Sequence, residues 1–127
     1  MPREEVSALE APAAIGPYSH AIAIDGFLFC SGQLGLDAKT GQLVDGVENQ
    51  AERALMNLVA VLKAAGMSMA DVVKTTIFLA DLAHFSTVNE VYSRFVVEPA
   101  PARSTVQVAA LPRGALVEIE AIARRSS

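Results

Sequence analysis

The sequence predicts an α+β fold, a two-layer sandwich in which two helices cover one face of a mixed β-sheet. Apolar residues recur at helical spacing in two separated stretches, 47–65 and 86–97. Alternating or β-branched runs stand before, between and after them. The resulting order, β-β-α-β-α-β-β, lets both helices lie on the same side of the sheet. At 127 residues the chain is read as one domain, 1–127, large enough for a two-layer core.

Residues 1–10 carry no strong pattern and are expected to be a loose lead-in. Ile15-Gly16-Pro17-Tyr18 is a turn that delivers Tyr18 in extended backbone. Ala21-Ile22-Ala23-Ile24 and Phe27-Leu28-Phe29-Cys30 flank Asp25-Gly26, a hairpin signal because a type I′ turn needs positive φ twice. Ser31-Gly32-Gln33 follows, where the glycine permits close approach of another group. Ala51, Ala54, Leu55, Leu58, Val61, Leu62 and Ala65 form a wide apolar stripe over 47–65, with Gly66 as the stop. Val72 to Leu79 is β-branched and reads as a central strand, ended by Asp81. Val88, Val91, Tyr92, Phe95 and Val96 mark the second helix, with Thr87 and Glu90 at capping-box spacing and Pro99 and Pro101 beyond it. Two strands are expected at 104–109 and 116–123, joined by Leu111-Pro112-Arg113-Gly114.

Composition narrows the function. Hydrophobic content is 52% and charged content 19%, which excludes a disordered chain. The net charge of −4, with ten scattered Lys and Arg, leaves no electrostatic footprint for nucleic acid. A mean hydropathy of +0.36 is high, yet no apolar run reaches the roughly 20 residues of a membrane span. Surplus apolar surface therefore points to an interface between copies of the chain. The first eleven residues hold three acidic side chains and no apolar leader, and Cys30 has no internal disulfide partner. Both features suit the cytoplasm.

Alternation in the last strand sets Val117, Ile119, Ala121 and Ala123 on one face and Leu116, Glu118, Glu120 and Ile122 on the other. Carboxylates bracketed by apolar side chains are unusual on a solvated strand. Arg103, held after Pro101-Ala102, reaches them if the last two strands pair. Two readings stay open: an Arg–Glu pair that steadies the sheet, or a guanidinium fork free to hold a small carboxylate. His20 and His84 have no metal-ligand spacing, and Cys30 ends an apolar strand as a packed thiol would. Neither a phosphate loop, a dinucleotide fingerprint nor a lysine suited to a pyridoxal cofactor is present, so no cofactor is expected. Tyr18, Ser31, Arg103, Thr105, Glu118 and Glu120 remain as a pocket for a small anionic molecule.

These motifs also carry a resemblance. Ala11-Pro12-Ala13-Ala14-Ile15-Gly16-Pro17-Tyr18-Ser19, Ser31-Gly32-Gln33, the run 73–82, Val88-Asn89-Glu90-Val91-Tyr92, Pro101-Ala102-Arg103-Ser104 and the run 118–123 resemble, in this order, the Rid (YjgF-like) family of reactive-intermediate imine deaminases. The resemblance implies a chorismate-mutase-like fold, a homotrimer with clefts between subunits, and no cofactor. It implies hydrolysis of 2-imino and 2-enamino acids of the 2-aminoacrylate type to 2-keto acids and ammonia. On it, Arg103 holds the substrate carboxylate and Glu118 activates the attacking water. Tyr18, from a neighbouring subunit, and Ser31 line the site, and the backbone at Gly32 and Thr105 adds hydrogen bonds. Thr105 stands where many members have cysteine, Ala100 where an aromatic is common, and His20 where glutamine is commoner. Alternatives are a non-catalytic trimer binding small carboxylates, a pathway-specific deaminase of the aminomuconate type, an endoribonuclease, which the acidic charge disfavours, and, on fold analogy alone, a chorismate mutase.

Overall fold

The computed structural model describes residues 2–126, in one six-stranded mixed sheet covered on one face by two helices. The elements are β1 (Glu4–Val6), β2 (Ala21–Ile24), β3 (Phe27–Leu34), α1 (Val47–Ala64), β4 (Val72–Leu79), α2 (Phe85–Ser93), β5 (Ala102–Gln107) and β6 (Val117–Arg124). Sheet order is β1-β2-β3-β6-β4-β5; β4 and β5 run parallel, and every other neighbouring pair is antiparallel. The helix-bearing face is the core. Leu55, Leu58 and Leu62 of α1 and Val88 and Val91 of α2 are buried with Leu28, Ile77, Leu79, Val117 and Ile119 of the sheet. No helix among the described residues is long and apolar enough to cross a membrane.

Local signals behave as their chemistry requires. Asp25 and Gly26 both take positive φ, 52° and 81°, closing the β2–β3 hairpin. Gly66 at φ 75° ends α1, where its N–H donates to the Lys63 carbonyl and that of Met67 to Leu62. These two bonds satisfy carbonyls that the helix end would leave orphaned.

Four expectations need correction. The lead-in contains β1, because residues 4–6 take up the free edge of β2. Three residues are too few to show a period. The second helix stops at Ser93 rather than Val97; Phe95 and Val96 still pack on the core, but from irregular backbone on the approach to Pro99. Thr87 and Glu90 form no capping box, whereas Ser68 and Asp71 do at the turn before β4. The last two strands do not pair: β4 lies between them, bonded to β6 on one side and to β5 on the other. A strand that follows a helical crossover is free to run parallel to the strand before it, as β5 does.

Candidate functional site

The site grows from an irregularity in β3. Cys30 pairs with Ala121 and Gln33 with Ile119, so Ser31 and Gly32 together oppose the single residue Glu120. Such a bulge bends the strand and re-aims its side chains. Gly32 faces Glu118 so closely that a Cβ there would lie 2.6 Å from Glu118 Oε2. Only glycine admits the carboxylate at this distance.

Around these residues lies a cavity of about 590 Å³ on the sheet face that carries no helices. Tyr18, Ser31, Gly32, Glu118 and Glu120 line it, with Arg113 at its rim. Ser31 is doubly fixed, its N–H donating to the His20 carbonyl (2.9 Å) and its hydroxyl to the Ser19 carbonyl (2.6 Å). Its proton is thus committed, and the lone pairs of Oγ are left to accept from a ligand. The half-exposed Tyr18 accepts a long hydrogen bond from the Ile15 N–H (3.4 Å), which leaves its own proton free to donate.

Glu118 is half-buried. Burial first, and the neighbouring charge of Glu120 second, push its carboxyl above its ordinary value. A carboxylate so placed is easier to protonate than a solvated one, as a proton shuttle requires.

Arg103 lies elsewhere. Its register partner on β4 is Thr75, which is fully buried beneath α2, whereas Glu118 pairs with Phe78 on the opposite face. Its guanidinium stacks over the rings of Phe85 (5.6 Å) and Tyr92 (5.1 Å), while the Tyr92 hydroxyl bonds Thr75 Oγ1 at 2.7 Å. Among the described residues only Arg94 forms ion pairs, so the fork of Arg103 is free. Thr105 shares this face, and its Oγ1 is buried with no partner. Within one chain the expected set therefore divides into Tyr18, Ser31, Gly32, Glu118 and Glu120 in the cavity and Arg103 and Thr105 beside α2. An Arg103–Glu118 pair inside one chain is ruled out because β4 intervenes and the two side chains leave opposite faces. Tyr18 and Glu118 line the same cavity of one chain.

Sequence reasoning missed the Phe85–Tyr92 platform, although seven-residue spacing puts both on one helix face. It also missed Arg113, held at φ 62° on the cavity rim. Cys30 is a packed thiol whose pKa burial pushes up to about 12, far from a nucleophile's. Among the described residues no cluster of His, Cys, Asp or Glu has metal-binding geometry.

The family model described as Endoribonuclease L-PSP matches residues 8–125. A mouse protein named 2-iminobutanoate/2-iminopropanoate deaminase is 55% identical over 95% of this chain and 90% of its own length. RidA from an Antarctic Psychrobacter superposes with a TM-score of 0.93 at 45% identity, covering 95% of this chain and 98% of its own. TdcF of E. coli, solved with bound serine, superposes at 0.92 with 44% identity, covering 97% and 99%.

Proposed function

The chain belongs to the Endoribonuclease L-PSP (YjgF/Rid) family, and we propose that it hydrolyses reactive 2-imino and 2-enamino acids to 2-keto acids and ammonia. The observation that carries this reading is the half-buried Glu118, its pKa raised, set against Gly32 in a cavity with Ser31 and Tyr18. Relatives bearing the deaminase name at 50–55% identity support the reaction class.

The active unit is a homotrimer of chorismate-mutase-like subunits with its sites between subunits. Arg103 faces away from its own chain's cavity, so a second copy must supply the guanidinium. The open sheet face supports such an assembly: Ile22, Phe29 and Ile122 lie in one register row across β2, β3 and β6, and Phe29 is 45% exposed. An apolar row of this kind is a typical surface for a partner copy.

In each cleft Arg103 takes the substrate carboxylate in a bidentate pair, its fork pre-oriented by the Phe85 and Tyr92 rings. Backbone groups at Gly32 and Thr105 complete the hold. Glu118 removes a proton from water as the oxygen bonds to C2 and the C=N π electrons move to nitrogen. The protonated Glu118 then delivers that proton to the nitrogen of the carbinolamine. Glu118 then carries the carbinolamine hydroxyl proton to nitrogen, the C–N bond breaks as the C=O bond forms, and ammonia leaves the keto acid. Imine and water balance keto acid and ammonia, with no cofactor needed. Ser31 Oγ accepts from the imine N–H, and Tyr18 donates to the developing charge. Positioning and one proton shuttle suffice, because imines hydrolyse readily. With its one buried thiol, the chain is assigned to the reducing cytoplasm.

The test generates 2-aminoacrylate from serine with a pyridoxal-dependent dehydratase while semicarbazide traps the free imine. The wild-type protein should divert flux to pyruvate and protect it from the trap; Arg103→Ala and Glu118→Gln should not. Equal partitioning with and without the wild-type protein would overturn the reading. Retained binding of 2-ketobutyrate with no hydrolysis would favour the non-catalytic carboxylate-binding alternative.

A further inference from the structure

Residues 8–18 reach from the end of β1 to the cavity and lie outside every helix and strand, yet Pro12, Ala13, Ile15 and Tyr18 form one wall of the cavity. Among the described residues, the backbone and side-chain hydrogen bonds within this segment are local: Ala11 to Ala8, Tyr18 to Gly16, and Ile15 to the Tyr18 hydroxyl. The bonds that tie it to the sheet pass through one side chain. His20 is 8% exposed at the start of β2; the Ala8 N–H donates to its Nδ1 (2.9 Å), and its Nε2 reaches the Pro12 carbonyl (2.7 Å).

The partners decide the protonation state. An amide N–H can only donate and a carbonyl can only accept, so Nδ1 bears the lone pair and Nε2 the proton. Both ring nitrogens are spent on the segment, four residues apart along it. The main-chain carbonyl of the same residue accepts from Ser31 N–H (2.9 Å). One residue thus joins the irregular wall to the bulge that presents Ser31 and Gly32.

We infer that His20 is a positioning residue: its neutral imidazole clasps the Ala8–Pro12 segment and so sets the distance between the Ile15–Tyr18 wall and the Ser31–Gly32–Glu118 floor. The inference deepens the proposed function, since the wall matters for ligand affinity only if this cavity is the site. It requires a side chain with one acceptor and one donor, not an imidazole as such. A glutamine amide satisfies that requirement; leucine, of similar bulk, does not.

Three measurements test it. In the wild-type protein, imidazole ¹⁵N shifts should show an unprotonated Nδ1 and a protonated Nε2, and the Ala8 amide should exchange slowly. In His20→Leu the affinity for 2-ketobutyrate, by calorimetry, should fall about tenfold, the scale of one or two lost hydrogen bonds, with faster amide exchange over 8–18. His20→Gln should recover most of that loss. A protonated Nδ1 in the wild type, or a folded His20→Leu with unchanged affinity, would sink the inference; should His20→Leu fail to fold, the ¹⁵N shifts and the His20→Gln affinity decide it. None of these readouts requires turnover, so a wild-type protein that binds keto acid without hydrolysing imines refutes the deaminase reading and leaves this one standing.

Discussion

Gly32 stands against the carboxylate of Glu118: a single added carbon would approach Oε2 to 2.6 Å and Cδ to 2.8 Å. The atom in the way is a side chain, so Gly32→Ala is expected to fold by displacing Glu118. A shift of about 1 Å in a catalytic group can cost about 100-fold in rate. Partitioning against semicarbazide should therefore fall by that order while the thermal midpoint moves little; unchanged partitioning would show that Glu118 needs no fixed position.

Glu118→Gln should cost about 10²- to 10⁴-fold, the range of general acid–base catalysis, with 2-ketobutyrate binding retained. On the proposed mechanism the carboxylate is unprotonated when it takes the water proton, so rate should rise with pH through its pKa. That pKa is raised, which places the acid limb above the ordinary value for glutamate. Glu120→Gln removes the second cause of the shift and should move the limb to lower pH, though not fully, because burial remains. A limb that stays put would show that the two charges do not interact.

The same shift predicts a conflict between stability and activity. A carboxyl whose pKa is higher folded than unfolded favours the fold in its protonated form. The contribution is fully present below the unfolded pKa and is lost as pH rises through the folded one. At neutral pH the ionised Glu118 therefore burdens the fold. In the dissociated subunit Glu118→Gln should melt at a higher temperature than the unsubstituted chain at pH 7, and the difference should close in acid, as pH falls below the ordinary carboxylate value. A lower midpoint for the variant at pH 7 would contradict the raised pKa.

Because Arg103 and Glu118 leave opposite faces of one sheet, their inactivating variants should complement each other. Arg103→Ala and Glu118→Gln subunits, unfolded together in equal amounts and refolded, should recover about a quarter of wild-type activity if each site takes one group from each of two copies. No recovery, with mixed oligomers verified by mass spectrometry, would overturn a site shared between Arg103 of one copy and Glu118 of another.

Phe29 occupies the middle of the apolar row on the open face. Phe29→Asp puts a charge there and should leave a folded monomer with native far-ultraviolet dichroism and no measurable deaminase activity. An intact trimer by sedimentation would move the interface elsewhere.

What the sequence determined is what short-range chemistry dictates. The Asp25-Gly26 hairpin, the stripe of α1 up to Gly66 and the two-faced alternation of β6 depend on neighbours within a few residues, so pattern and φ preference suffice to read them. Glu118 was legible as a candidate for the same reason, being a carboxylate bracketed by apolar residues on one face of a strand. Tertiary structure decided which strands are neighbours. Nothing local in β5 or β6 says that β4 will enter between them, because strand pairing is settled by the helices that cross the sheet and by the whole buried face. That placement turned Arg103 toward α2 and left Glu118 on the open face. Side chains fifteen residues apart in the chain thus face opposite ways, since a shared face requires a shared register and register is a property of the sheet, not of either strand.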